Sequence, residues 1–318
     1  MSKSIKPYRA LTPTEEIELA AYEKKAATLR DKTRQVVRGT KLALICWGGG
    51  GGGKSFNILK IFEELGMKKD KDYILTNSRL STPALENLIK DHPSLVHFME
   101  DIESLFEQRS AFGYLRSLLW GQKDEHGVMR RYATPTVVGK DKRVEFTGKL
   151  VVTANCPLDD LPELRALGTR SIPFRFQATN PQLLAKMKEI CNRGYSYEGV
   201  RLTPTQCFEV YDFYVNNVPL KRPHDLRIIE HGFWDMIDGI NGILKERTWE
   251  DIYLTEILKG EEPPVTRKTK IRTMRDIALR LHALFEESKI SAAEMHQRWD
   301  EETGGASLSA MYRRLRGK

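Results

Sequence analysis

Six consecutive glycines, Gly48 to Gly53, followed by Lys54 and Ser55, constrain this chain more than any other stretch of its 318 residues. A glycine run in solvent is a flexible linker. This one follows Leu42-Ala43-Leu44-Ile45-Cys46-Trp47, an apolar run suited to a strand buried on both faces, and precedes an amphipathic pattern from Phe56 to Leu65. Strand, glycine loop and helix in that order match the phosphate-loop pattern G-x-x-x-x-G-K-[ST]. The spacing has a chemical reason. Backbone N–H groups must turn inward around a triphosphate, which needs conformations that glycine reaches without steric penalty, and a helix beginning near Lys54 aims its positive end at the same anion. Gly48, Gly49, Gly50, Gly51, Gly52 and Gly53 are thereby assigned to the cradle, Lys54 to the β- and γ-phosphates, and the Ser55 hydroxyl to Mg²⁺.

Further apolar runs at Tyr73 to Leu75, Leu95 to Met99, Leu150 to Ala154 and Ile172 to Phe176 alternate with helical patterns at Phe56 to Leu65, Pro83 to Lys90 and Ala111 to Trp120. That rhythm predicts a three-layer α/β fold around a parallel sheet. Before it, Thr12-Pro13-Thr14-Glu15 starts a polar helix running to Val37, expected outside the core. Arg130-Arg131-Tyr132-Ala133-Thr134 and Arg143-Val144-Glu145-Phe146 suggest an inserted β-hairpin around Gly139-Lys140-Asp141-Lys142. From Asn180 to Leu258 the pattern turns helical, and Lys259-Gly260-Glu261-Glu262-Pro263-Pro264 cannot continue a helix. The predicted organisation is an N-terminal helical extension (1–39), an α/β core with the hairpin (40–179), a helical lid (180–258), a linker (259–266) and a small all-α basic domain (267–318).

With 40% hydrophobic and 30% charged residues, the chain is not of disordered or collagen-like composition. No apolar run approaches the roughly 20 residues of a membrane span, and the first residues lack the apolar core of a signal peptide, so a cytoplasmic protein without membrane partners is expected. Cys46, Cys156, Cys191 and Cys207 lack metal-site spacing and are expected as reduced thiols. The net charge of +8 is uneven, because residues 267–318 hold 12 Lys and Arg against 7 Asp and Glu.

Leu95-Val96-His97-Phe98-Met99-Glu100-Asp101 is an apolar strand ending in two carboxylates. A phosphate-loop enzyme needs one to hold Mg²⁺ and often a second to orient the attacking water, and the strand next to the loop strand is the expected source. In register, Glu100 takes the metal position and Asp101 the water-activating one; a shift that places Asp101 on the metal is the alternative. Leu150-Val151-Val152-Thr153-Ala154-Asn155 ends in a polar residue placed to touch the γ-phosphate or the lytic water, or else in an ordinary turn residue.

The order of these parts resembles the AAA+ family of ATPases over roughly Lys41 to Ile243, with the loop, acidic strand end, polar strand end, arginine and helical lid in sequence. The resemblance implies ATP as the nucleotide, Asn155 as a first sensor, and Arg170 in the stretch Leu161 to Ile172 as a finger for a neighbouring subunit's ATP. Arg165 is the second choice. It further implies Arg227, in Asp225-Leu226-Arg227, as a second sensor on a lid helix, and assembly into homo-oligomeric rings or filaments.

Near the C-terminus, Arg275 to Glu287 and Ile290 to Trp299 are helical patterns. Thr303-Gly304-Gly305-Ala306 then leads into a helix bearing Ser307, Ser309, Tyr312, Arg313, Arg314 and Arg316. A glycine turn before a basic helix suggests a DNA-binding helix-turn-helix. Arg130, Arg131, Lys140, Lys142 and Arg143 of the hairpin offer a further nucleic-acid contact. The expectation is a Mg²⁺-dependent ATPase acting on DNA, in replication initiation, helicase loading or transposition support. The rival readings are a slow nucleotide switch and a remodelling motor, each serving a protein partner.

Overall fold

The computed structural model describes residues 8–77, 80–102, 105, 108–133, 143–156, 171–220, 222–259, 267–286, 291–303 and 311–312. The chain divides into two compact units, Met1–Ile257 and Leu258–Lys318.

The first unit is built on a five-stranded parallel sheet. In chain order its elements begin with helix α1 (Pro13–Val37), strand β1 (Ala43–Trp47), α2 (Lys54–Glu64), β2 (Tyr73–Thr76), α3 (Thr82–Asp91), β3 (Val96–Met99) and α4 (Arg109–Leu119). Then come β4 (Gly121–Lys123), β5 (Met129–Ala133), β6 (Val144–Glu145), β7 (Lys149–Ala154) and β8 (Ser171–Arg175). The sheet order is β2-β3-β7-β1-β8. β1 is buried along its whole length because β7 and β8 pair with its two edges and helices cover both faces. Alternation sorts its side chains. Ala43, Ile45 and Trp47 join Leu150, Val152, Leu85, Phe112 and Leu115 on one face, while Leu44 and Cys46 join Phe98, Val151, Leu29 and Phe62 on the other. The predicted three-layer fold is present.

The polar N-terminal helix does not lie outside this core, as its composition suggested. Tyr22, Ala26, Leu29, Thr33 and Val36 recur at helical spacing along α1 and are all buried, against α2 and the sheet. The helix begins on a reciprocal capping box between Thr12 and Glu15 with Pro13 in its first turn. A second correction concerns strand order. β7 lies between β1 and β3, so the acidic strand is one strand removed from the loop strand, about 10 Å at ordinary strand spacing.

The inserted hairpin exists as β5 paired with β6, with Tyr132 opposite Glu145, and β4 extends it to three antiparallel strands. Its turn, with Lys140 and Lys142, lies outside the described residues. The described hairpin arginines, expected as a nucleic-acid contact, are each engaged by groups of the insertion or of the segments flanking it. Arg130 bridges Asp124 at 2.7 Å and Glu145 at 3.0 Å. Arg131 donates to the Leu118 and Gly148 carbonyls beneath Phe146, and Arg143 lies over the Tyr132 ring.

The segment expected as a lid comprises α5 (Asn180–Arg193), a hairpin of β9 (Tyr195–Tyr197) and β10 (Val200–Leu202) that periodicity did not reveal, α6 (Pro204–Asn217), α7 (Leu226–Ile240) and α8 (Trp249–Leu258). It has its own apolar core of Met187, Phe208, Tyr211, Tyr214, Ile229, Phe233, Ile237, Tyr253 and Ile257. It nevertheless belongs to the first compact unit. α1 ties it down through Lys188 with Glu15 and through Lys186 with Glu23 at 2.6 Å.

The second unit contains α9 (Arg267–Glu286) and α10 (Ala292–Thr303), with Met311 and Tyr312 also helical. Ala278, Leu281, Met295, Trp299 and Met311 form its core. No helix among the described residues is long and apolar enough to cross a membrane. Cys46, Cys191 and Cys207 are buried, Cys156 is partly so, and all four are free thiols.

Candidate phosphate-binding site

Parallel strands present their C-terminal ends on one edge of a sheet, and ligands of open α/β folds bind along that edge. Here the edge holds the ends of β1, β3 and β7 in matched register, with Trp47 beside Ala154 and Met99 beside Val152. The chain leaves β1 through a Gly48 amide bonded to the Ala154 carbonyl at 3.2 Å.

Gly51 and Gly53 take φ of +64° and +94°, left-handed values that other residues adopt only under strain. Space is as restrictive as angle. A Cβ on Gly48 would stand 1.8 Å from the Phe176 carbonyl oxygen, and one on Gly51 would stand 1.8 Å from Asp225 Oδ1. At Gly49 a Cβ would meet nothing within 4 Å. The loop is pressed from behind by β8 and the lid while its Gly49 side is open.

Helix α2 begins at Lys54 on a Gly53 N-cap with no side-chain cap. The contrast within the chain is informative. α1, α3, α5, α6 and α7 start on Thr12, Ser81, Thr179, Thr203 and Asp225, each of whose side chains accepts an amide of its own first turn, whereas α4, on Gln108, lacks a side-chain cap as α2 does but follows no glycine loop. An uncapped helix start behind a glycine loop suits an external anion, because the dipole and first-turn amides then act on the ligand. The residues present fit a nucleotide's phosphates.

Lys54 is 5% exposed, and its ammonium donates to the Gly48 and Gly49 carbonyls at 2.8 Å each and to Asn155 Oδ1 at 2.9 Å. The loop lysine and the polar end of β7 are therefore joined directly. Ser55 follows in the first turn of α2 and is partly buried. On β3, Glu100 continues the sheet register, its amide bonded to the Thr76 carbonyl at 2.7 Å. Asp101 turns out of the strand at φ +53° and is exposed, with its amide donating to Thr153 Oγ1 at 3.4 Å. A left-handed aspartate costs about 1 kcal/mol and persists where its surroundings impose it.

Lid helix α7 starts against the loop. Its Leu226 amide donates to the Gly51 carbonyl at 3.0 Å, and its N-cap Asp225 accepts the Arg227 amide at 2.8 Å. The Arg227 guanidinium stands 3.8 Å from where a Gly50 Cβ would lie, as does Asn155 Oδ1. The structure thus gathers Gly48 to Gly53, Lys54, Asn155 and Arg227. Glu100 and Asp101 lie on the same sheet edge. Arg165 and Arg170 lie outside the described residues, as do Ser307, Ser309, Arg313, Arg314 and Arg316. Tyr312 is described, 41% exposed, with its hydroxyl 3.0 Å from His296 Nε2.

Two residues at the loop were not anticipated. Asp225 carried a signal, since Asp before Leu-Arg at a helix start is a ready N-cap. Tyr22, whose hydroxyl donates to the Gly52 carbonyl at 3.0 Å, carried none beyond its place on the apolar stripe of α1.

No protein-family model and no curated protein sequence matches the chain. Among solved structures it is similar to NtrX from Brucella abortus in complex with ATP, at 13% identity over 92% of this chain and 67% of that one, TM-score 0.45. It is also similar to Cdc6p from Pyrobaculum aerophilum, at 15% identity over 99% of this chain and 87% of that one, TM-score 0.44. A third is the Aeropyrum pernix Orc1 protein in complex with DNA, at 14% identity over 98% of this chain and 82% of that one, TM-score 0.45.

Proposed function

We propose that the chain is an AAA+ ATPase that assembles with copies of itself and acts on DNA. The observation that carries the reading is the Lys54 ammonium held between two loop carbonyls and Asn155, on the edge where β3 delivers two carboxylates. In this reading the loop amides and Lys54 bind the β- and γ-phosphates of ATP, and Arg227 closes the lid side of the same phosphates. Ser55 and Glu100 would hold Mg²⁺, which would supply charge neutralisation on the phosphate oxygens.

Asp101 takes the proton of the attacking water and Asn155 orients that water or the γ-phosphate. The exchanged assignment, with Asp101 on the metal, is tested by the same substitutions. Arg170, or Arg165 in its place, completes a neighbour's site, so turnover rises with protein concentration. A finger of this kind contributes on the order of 10³ to 10⁵ in rate. The basic unit beyond residue 258, with Ser307, Ser309, Tyr312, Arg313, Arg314 and Arg316, supplies the DNA contact.

A second reading is favoured by one observation. Arg130, Arg131 and Arg143 are engaged by groups of the insertion and of the segments flanking it, which suits a nucleotide switch or remodelling ATPase addressing a protein. The deciding measurement is the ATPase rate of the full chain across a range of protein concentrations, with and without duplex DNA. DNA stimulation and a rate per subunit that climbs with concentration are expected. A rate indifferent to DNA supports the switch or the remodelling motor. Lys54→Ala is expected to abolish ATP binding by isothermal titration, and unchanged affinity removes the nucleotide assignment itself.

A further inference from the structure

Tyr22 sits on a helix that nothing in the sequence connects to the glycine loop, yet its hydroxyl donates to the Gly52 carbonyl at 3.0 Å in a buried bond. The residue is 2% exposed, with its ring edge-on to Phe176 and Lys186 of the lid 5.6 Å from its centroid. Burial pushes the phenol up to about 12, so the hydroxyl remains a donor at any physiological pH. One residue earlier, the Gly51 carbonyl accepts the Leu226 amide at 3.0 Å. Two successive loop carbonyls are thus held from outside by two different elements, α1 and α7.

The consequence follows from peptide geometry. The described peptide bonds are all trans, and in a trans peptide the N–H points opposite to the C=O. A donor fixed on the Gly52 carbonyl therefore turns the Gly53 N–H away from Tyr22. The Leu226 bond does the same for the Gly52 N–H. In a run of six glycines these orientations have the most freedom to lose, and fixing them beforehand lowers the entropy cost of binding an anion.

We propose that Tyr22 is a positioning residue of the phosphate loop: through the Gly52 carbonyl it presets the Gly53 amide as a donor to a di- or triphosphate. The proposal rests on the phosphate-binding reading of the loop. Its ligand chemistry is the polyphosphate, independent of base and sugar.

Tyr22→Phe keeps the ring and its packing against Phe176 and Lys186 and removes only the hydroxyl, which donates to Gly52 and also meets the Asn57 side chain. Isothermal titration of the full chain with ATP, ADP and inorganic tripolyphosphate is expected to show all three weakened by a common factor of about 3 to 10, the worth of one net hydrogen bond. KM for ATP rises by the same factor while kcat changes less than about twofold, as a loss of uniform binding requires. The rise in thermal midpoint on adding ATP is a second readout, since it reports binding whatever the variant's starting stability. Parent-like affinities in Tyr22→Phe, with binding abolished in Lys54→Ala, overturn the positioning role and leave the site standing. A lowered midpoint without ligand, with all three affinities intact, assigns Tyr22 to stability alone and equally overturns it. Parent-like affinity in Lys54→Ala instead removes the site on which the inference rests.

Discussion

At the scale of single residues, the loop is specified by what its glycines exclude. Gly51→Ala forces a Cβ into the Asp225 carboxylate and places alanine at φ +64°. The backbone effect alone costs about 1 kcal/mol. Displacing Asp225 also removes the N-cap of α7, about 1 kcal/mol more. Urea denaturation of Gly51→Ala is expected to show a loss of about 2 kcal/mol together with weaker ATP binding. Asp101→Asn keeps the residue's shape and removes its basicity, so ATP is expected to bind as in the parent while hydrolysis stops; turnover at the parent rate takes the base role from Asp101. His97 offers a test away from the site. Its imidazole is fully buried in β3, with Nε2 against the His92 carbonyl at 2.8 Å and Nδ1 without a hydrogen-bond partner. Burial pushes it down from 6.5 to about 4, so between those values the unfolded chain takes up a proton that the folded one refuses. This contribution to stability is complete above pH 6.5 and diminishes as pH falls toward 4. About 2 kcal/mol is expected to disappear between pH 7 and pH 5 on this account. Comparing urea midpoints at the two pH values for the parent and His97→Gln isolates it, the variant showing the shallower dependence.

At the scale of elements, α1 is the part whose importance composition concealed. Leu29 is 0% exposed between α1 and the sheet. Leu29→Ala is expected to cost about 3 kcal/mol in urea denaturation, the usual penalty of a core leucine truncated to alanine. A cost below about 1 kcal/mol would return α1 to the periphery. The reason it read as an appendage is that a single apolar stripe through Tyr22, Ala26 and Leu29 is diluted by the lysines, arginines and glutamates on its other faces. The buried strands were legible because β1 and β7 are apolar on both faces and end at glycine or asparagine. Strand order was not, since whether β3 or β7 flanks β1 depends on how the chain crosses over the sheet and leaves no local trace. Likewise the motif gave Lys54 and Ser55 by spacing alone. Tyr22 and Asp225 reach the loop from about 30 and 175 residues away, a distance over which sequence periodicity carries nothing.

At the scale of the whole molecule, charge is unevenly shared. The 52 residues from Arg267 to Lys318 carry a net of +5 out of +8. If that unit holds DNA, affinity of the full chain falls steeply with salt as counterions are released. Reversing two charges with Arg313→Glu and Arg314→Glu is expected to weaken binding and to flatten the slope of log affinity against log salt by about 2 units, one for each phosphate no longer neutralised. A slope unchanged in the double variant places the DNA elsewhere on the protein. Under the proposed reading, α7 offers a way for a nucleotide to be felt at a distance. α7 is pinned at its first residue to the Gly51 carbonyl and runs 15 residues, about 22 Å at helical rise. A rod hinged at one end magnifies small turns: a tilt of about 10° at the glycine end would swing the opposite end through roughly 4 Å, the width of a side chain.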